Sequence, residues 1–331
     1  MRQIRQTLLV AVIGLAIGAV LMGPLATESA LHTRRKSASS ADEAREFARA
    51  NSTAWEAVRI TAGDGTVLEG WLFTRAEHEG SDTAGSGAGQ AKAPVPQRSE
   101  LTPLQSAEHG ASVVVLLHGV GDVRASMLGH ARYLVRSGFS VLVPDSRGHG
   151  ASGGTITTYG IEEAGDVARW TSWLFQTHHV EHLYGLGVSL GAGILLQSLA
   201  REPRFRAVVA ESPFASFQEA AYDRLSEDSG ISQRMFWPVI ESGFLYARMR
   251  YGVDLRRASA VDAVRATHTP ILLIHGTADV NIPIRHSREL HAINPGATRL
   301  WEVAGATHGH VRSADPEGYA RTVVEWFQSH P

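Results

Sequence analysis

Gly187-Val188-Ser189-Leu190-Gly191 is the stretch on which the reading of this 331-residue chain turns. It fits G-x-S-x-G, a sharp strand-to-helix turn that presents a serine hydroxyl as a nucleophile. Glycine on either side of the serine removes collisions that side chains would meet at so tight a turn. The same pattern recurs at Gly150-Ala151-Ser152-Gly153-Gly154, so the flanks must separate the two. Before Ser189, His182-Leu183-Tyr184-Gly185-Leu186 reads as a buried strand; after it, Leu190 to Ala200 reads as a helix. Ser152 has neither flank, following a polar Gly-rich stretch and preceding Thr155-Ile156-Thr157-Thr158. We read Ser152 as a loop residue.

The same rhythm extends outward in both directions. Ser112 to Leu117 is an apolar run, followed by a helical stretch near Met127 to Ser137. Val141-Leu142-Val143 is a strand, with a helix from about Ile161 to Gln176 after it. Ala207 to Ala210, Ile271 to Ile274 and Arg299 to Val303 are further strands, and a last helix runs from about Gly318 to Gln328. Short apolar strands alternating with helices predict an α/β fold, a mostly parallel sheet covered on both faces. Glu56 to Ile60 and Val67 to Phe73, flanking Asp64-Gly65, predict an antiparallel hairpin ahead of it.

In such a sheet the working residues sit in loops at the carboxyl ends of strands. A serine needs a neighbouring base, and the base needs a carboxylate to hold its tautomer. The strand Ile271 to Ile274 ends in His275-Gly276-Thr277-Ala278-Asp279, and the strand Arg299 to Val303 ends in Ala304-Gly305-Ala306-Thr307-His308-Gly309-His310. Asp279 is the candidate acid and His308 the candidate base. Glu211 is the rival acid, His310 the rival base, and His275 is read as a packed strand-end histidine. Two backbone N–H groups should hold a developing oxyanion. One belongs to Leu190, the residue after the nucleophile. The other is assigned to Val120, in the loop His118-Gly119-Val120-Gly121. The ring of His118 is expected to brace that loop.

Five motifs in order carry a resemblance: Leu116-Leu117-His118-Gly119, Asp145-Ser146-Arg147-Gly148-His149-Gly150-Ala151-Ser152, Gly187-Val188-Ser189-Leu190-Gly191, Ile274-His275-Gly276-Thr277-Ala278-Asp279 and Gly305-Ala306-Thr307-His308. Over residues 54–331 the chain resembles the α/β-hydrolase superfamily, in particular its serine-aminopeptidase-like esterase/lipase branch. The resemblance implies an α/β-hydrolase fold with a small helical lid. It also implies a serine nucleophile acting on an ester, thioester or amide, and a structural role for Arg147 to Gly150. The order Ser189, Asp279, His308 is that of this superfamily. Thr307 departs from the Gly-Ala-Gly-His commonly found there. The expected activity is cleavage of a carboxylic ester or lipid-like small molecule. A peptidase or amidase on the same fold is the enzymatic alternative. A silent, membrane-tethered binding protein is the alternative of another class.

The long segment 213–265 interrupts the alternation and is read as the lid. Its aromatic residues suit an apolar acyl pocket, for which Phe214, Phe236, Trp237 and Phe244 are the candidate substrate-binding residues. Residues 75–110 are polar and carry prolines, and read as a flexible insertion.

Composition narrows the rest. A net charge of −2 gives nucleic acid no electrostatic footprint. The absence of cysteine excludes disulfides and thiol chemistry. Sixteen histidines form no HExxH and no tight cluster with carboxylates, so neither a metal nor any cofactor is expected. Arg2 and Arg5 precede an apolar run from Leu8 to Met22. Residues 1–26 therefore read as a signal anchor, or as a cleaved signal peptide. Residues 27–52 read as a tether to the domain 53–331. The arginines favour an extracytoplasmic catalytic domain, secreted if the segment is cleaved.

Overall fold

The strands of the central sheet are apolar on both sides, and their side chains divide between two cores. In β3 (Ala111–Leu117), Val113, Val115 and Leu117 enter one core while Val114 and Leu116 enter the other. In β7 (Ile271–Gly276), Ile271 and Leu273 face the first and Leu272 and Ile274 the second. Period-two side-chain alternation with both sets buried is what a parallel sheet sandwiched between helices requires. The computed structural model describes residues 21–75, 111–229 and 232–331, together with Gly14 and Gly18. The insertion expected at 75–110 therefore lies, beyond Arg75, outside the described residues, as does most of the apolar run 8–22.

The sheet has eight strands in the order β1-β2-β4-β3-β5-β6-β7-β8. β1 (Thr53–Thr61) and β2 (Val67–Arg75) form the expected hairpin, pairing antiparallel with Thr61 opposite Val67. β2 also runs antiparallel to β4 (Ser140–Pro144). All remaining pairs, through β5 (Val180–Val188), β6 (Phe205–Glu211), β7 and β8 (Thr298–Val303), are parallel. The chain leaves β3 toward β4 on one side and returns to β5 on the other. The carboxyl ends of β3 and β5 therefore flank a topological switch point, where open α/β sheets form their crevice.

Helix α3 (Leu128–Arg136) and the helix Pro316–Gln328 pack on one face, and α4 (Glu163–Thr177) and α5 (Leu190–Ser198) on the other. Every residue of α5 is buried. An all-round apolar helix is a core helix, and this one rigidly carries the end of β5.

The segment 27–52, expected to be a tether, is packed against the domain. α1 (residues 21–31) buries Leu31 completely, and α2 (Ala41–Asn51) buries Ala44, Phe47 and Ala48. Phe47 meets Phe73 of β2 at 4.7 Å between ring centroids. A capping box closes the start of α2, with the Ser40 hydroxyl accepting from the Glu43 N–H and the Glu43 carboxylate accepting from the Ser40 N–H. Between the two helices, Arg35 donates to the carbonyls of Gly150, His149 and Ser152. The Ala/Ser-rich composition hid this, because the apolar residues that dock are few and widely spaced.

The segment read as the lid forms α6 (Phe217–Ser229), α7 (Trp237–Tyr251) and α8 (Val261–Ala266). Ile240, Phe244, Ala247, Val253 and Leu255 make a third, smaller core here, into which Leu31 of α1 inserts. Among the described residues no helix is long and apolar enough to cross a membrane.

Candidate active site

Ser189 sits between β5 and α5 with φ 54° and ψ −114°, a conformation costly for a residue with a Cβ. The turn is this tight because Gly187 and Gly191 pack against each other's backbone. A Cβ on Gly187 would fall on the Gly191 carbonyl, and one on Gly191 would fall on the carbonyl of Leu117 in β3. The Ser189 N–H is tied to the Glu211 carbonyl at 2.8 Å. The strain is thus held by both neighbouring strands.

The three separated candidates meet at this turn. His308 Nε2 lies 2.9 Å from Ser189 Oγ, and His308 Nδ1 lies 2.7 Å from Asp279 Oδ2. An ionised Asp279 only accepts, so Nδ1 of His308 carries the proton and Nε2 turns its lone pair to the serine hydroxyl. Asp279 is buried and fully occupied. Its Oδ1 accepts from the Asn281 and Ile282 N–H groups, both at 3.0 Å. Burial alone would raise its pKa, but hydrogen bonds from His275 and His308, the His308 charge and the Ile282 N–H together hold it well below the usual carboxylate range.

The rivals are placed elsewhere. Glu211 is buried and accepts from the Tyr319 hydroxyl at 2.7 Å, with His130 Nε2 at 3.6 Å. His310 is exposed, its Nδ1 3.0 Å from the His308 carbonyl. His275 is the packed strand-end residue expected, and it also braces the acid. Its Nε2 lies 2.8 Å from the Ile282 carbonyl and 3.4 Å from Asp279 Oδ2, and its Nδ1 lies 2.7 Å from Ser287 Oγ. Ser152 is a buried loop residue, donating to the Asp145 carbonyl at 2.7 Å and accepting from the Glu69 N–H at 2.9 Å.

The loop after β3 runs past the serine. A Cβ on Gly119 would come within 3.7 Å of Ser189 Cβ, in ordinary contact. Val120 and Leu190 both line the cavity that contains Ser189 and His308. Leu190 opens α5, so its N–H has no acceptor within the helix. His118 braces the loop as expected. Its Nδ1–H donates to the Gly119 carbonyl at 2.8 Å and its Nε2 accepts from the Ser146 N–H at 3.0 Å. Burial pushes the His118 pKa down to about 4, keeping it neutral in this role. His149, unassigned in the sequence beyond its motif, does the same for the far side, its Nε2 accepting from the Gly121 N–H at 3.1 Å. Arg147 is structural. It forms two 2.7 Å bonds to Asp166 and further pairs with Asp64 and Glu162.

The cavity holds about 510 Å³ and its walls are mostly apolar. Phe214 and Phe244 line it, as the sequence suggested, but Phe236 and Trp237 do not. Phe236 packs against the lid core, and Trp237 is 59% exposed. Aromatic crowding in the lid identified the region and could not say which ring turns inward. Tyr159 and Phe217, stacked at 3.9 Å, and Ile282 take their places. The wall that sequence reasoning missed entirely is α1, whose Gly23, Ala26, Thr27 and Ala30 face the cavity. Their spacing of three, four and seven marks one helical face. Among the described residues no cluster of three or more His, Asp or Glu could hold a metal ion.

Comparison with known proteins points to the same fold. Residues 112–241 match the family model for the alpha/beta hydrolase fold. The chain is 26% identical over 221 residues to the uncharacterized protein YqkD of Bacillus subtilis, covering 66% of this chain and 72% of that one. It is 28% identical over 188 residues to the lysophosphatidylserine lipase ABHD12 of Macaca fascicularis, covering 55% of this chain and 45% of the relative. Among solved structures, an esterase of Pyrococcus furiosus, Pf2001, superposes with a TM-score of 0.65 at 20% identity, over 91% of this chain and 98% of the esterase.

Proposed function

We propose that this α/β hydrolase is a serine hydrolase that cleaves a carboxylic ester or thioester with an apolar acyl group, through an acyl-enzyme on Ser189. The observation that carries the reading is the hydrogen-bonded chain from Ser189 Oγ through His308 to Asp279, at 2.9 and 2.7 Å. As the Ser189 oxygen attacks the carbonyl carbon, His308 Nε2 takes its proton, and Asp279 stabilises the imidazolium without being protonated. The N–H groups of Val120 and Leu190 receive the oxyanion; one such donor is worth about 10²–10³ in turnover. His308 returns the proton to the leaving oxygen or sulfur, and water, deprotonated by the same imidazole, releases the acid. The apolar cavity supports an acyl chain over a polar one.

Attachment to a membrane through residues 1–26, with the catalytic domain extracytoplasmic, belongs to the same proposal. The structure gives a reason to favour an anchor over cleavage. Cutting between Pro24 and Ala30 would sever α1, whose residues line the cavity.

The test is turnover of p-nitrophenyl esters of increasing chain length by the full chain in detergent. The reading expects turnover that rises beyond acetate, and a loss of at least about 10⁴-fold in Ser189→Ala. A folded wild type without turnover, or a Ser189→Ala variant that keeps it, contradicts the reading.

A further inference from the structure

We propose that the outer faces of α1 and α7 form one docking surface for an anionic lipid bilayer, and that the acyl chain of a bilayer-resident amphiphile enters the Ser189 cavity between these helices; the second clause rests on the serine-hydrolase reading. Among the described residues, ten large hydrophobic side chains are exposed. Seven of them belong to these two helices and the turn leading into α7: Leu21, Met22, Leu25, Met235, Trp237, Leu245 and Met249. Such residues scattered singly need no explanation, but this concentration does. Met249 is 78% exposed and Leu25 65% exposed, so neither is packed on the fold.

The two helices are packed backbone to backbone. A Cβ on Gly243 would lie 2.8 Å from the Gly23 carbonyl, so only glycine permits this crossing. One turn further on, Glu28 of α1 accepts from the hydroxyls of Tyr246 and Tyr251, each at 2.6 Å. The inner faces of the pair line the cavity, through Gly23, Thr27 and Ala30 on α1 and Val239, Ile240 and Phe244 on α7. Ala26 both lines the cavity and is exposed, so the cavity reaches the surface next to Leu25.

The sequence ahead of α1 points to a bilayer as the occupant. The apolar run beginning at Leu8 leads directly into Leu21 and Met22, so the segment read as a membrane anchor delivers the chain onto this face. Arg248 and Arg250, both exposed, flank Met249. An apolar stripe bordered by arginines fits the boundary between anionic head groups and acyl chains. A soluble substrate would gain nothing from a cavity opening at such a face, whereas a lipid chain would move from one apolar medium to another.

The chain has no cysteine, so a single introduced thiol can be labelled selectively. Leu245→Cys, Met249→Cys and, as a control at the amino end of β5, Glu181→Cys would carry an environment-sensitive fluorophore in the full chain. Added phosphatidylcholine/phosphatidylglycerol vesicles should shift emission to the blue at positions 245 and 249 and not at 181. The full-chain variant L25E/L245E/M249E should lose about tenfold or more of its turnover of a long-chain ester held in vesicles, with soluble short-ester turnover near wild type. Labels at 245 and 249 that respond no more than the control overturn the docking surface. A blue shift that grows with protein concentration without lipid assigns the face to a second copy and overturns it too. Lipid-dependent shifts in a protein that turns over no ester support the docking surface and overturn the hydrolase reading.

Discussion

At the residue scale, Asp279 has no freedom to do anything but hold His308. Two backbone N–H groups, His275 and His308 saturate its oxygens. Asp279→Asn should therefore leave the fold intact, put an amide N–H or a wrong tautomer against His308, and cut kcat about 10³–10⁴-fold, measured on a soluble ester. Its depressed pKa has a definite sign. The carboxylate contributes stability above its unfolded pKa near 3.8 and loses it only as pH falls through the lower folded value. His118 runs the other way. Its pKa falls from 6.5 to about 4, so the unfolded chain binds more protons between those values and stability drops as pH falls across that window. That is on the order of 3 kcal/mol by pH 4. Urea melts from pH 7 to 4 should show a shallower fall in His118→Gln than in wild type. Ser189, Asp279 and His308 were legible because each stands in a short local grammar, a strand end followed by a Gly-containing loop. The His275 contact to Asp279 was not, because it depends on how the loop 276–282 folds back.

At the element scale, the elbow and the N-terminal helices matter most. Gly191→Ala would drive a methyl into the Leu117 carbonyl, between two elements that cannot separate. The expected result is loss of soluble folded protein or of all activity, checked by thermal melting beside turnover. Phe47→Ala, which removes a buried ring from the junction of α2 with β2, should cost about 3–5 kcal/mol in chemical denaturation. A true tether would tolerate that change at no cost. The strands and helices of the parallel sheet were legible because burial on both faces writes continuous apolar runs. α1 as a cavity wall was not. Its small residues read equally well as part of an apolar anchor, and its partners lie more than a hundred positions away, from Tyr159, which donates to the Ala30 carbonyl, to Tyr246, bonded to Glu28 at a separation of 218.

At the scale of the whole molecule, the two halves of the site are tied by a polar belt outside the reacting atoms. Arg147 joins the turn of the first hairpin, through Asp64, to Asp166 of α4 and to Glu162 ahead of it. Arg35 pins the N-terminal segment onto the same loop. Arg147→Ala leaves Asp166 buried without its partner and should destabilise the fold by about 3–5 kcal/mol in urea melts, more than any single exposed pair. The motif order in the sequence anticipated this global layout, since five strand-end loops can converge only at the carboxyl edge of one sheet. What it could not anticipate is that the chain's first described helix closes the cavity those loops open.

The most direct test of the account is mass-spectrometric mapping of the covalent adduct formed when the full chain meets a fluorophosphonate. The account predicts one adduct, on Ser189, absent from Ser189→Ala and strongly slowed in His308→Ala. No adduct on folded protein, or one on Ser152 or another serine, would contradict it.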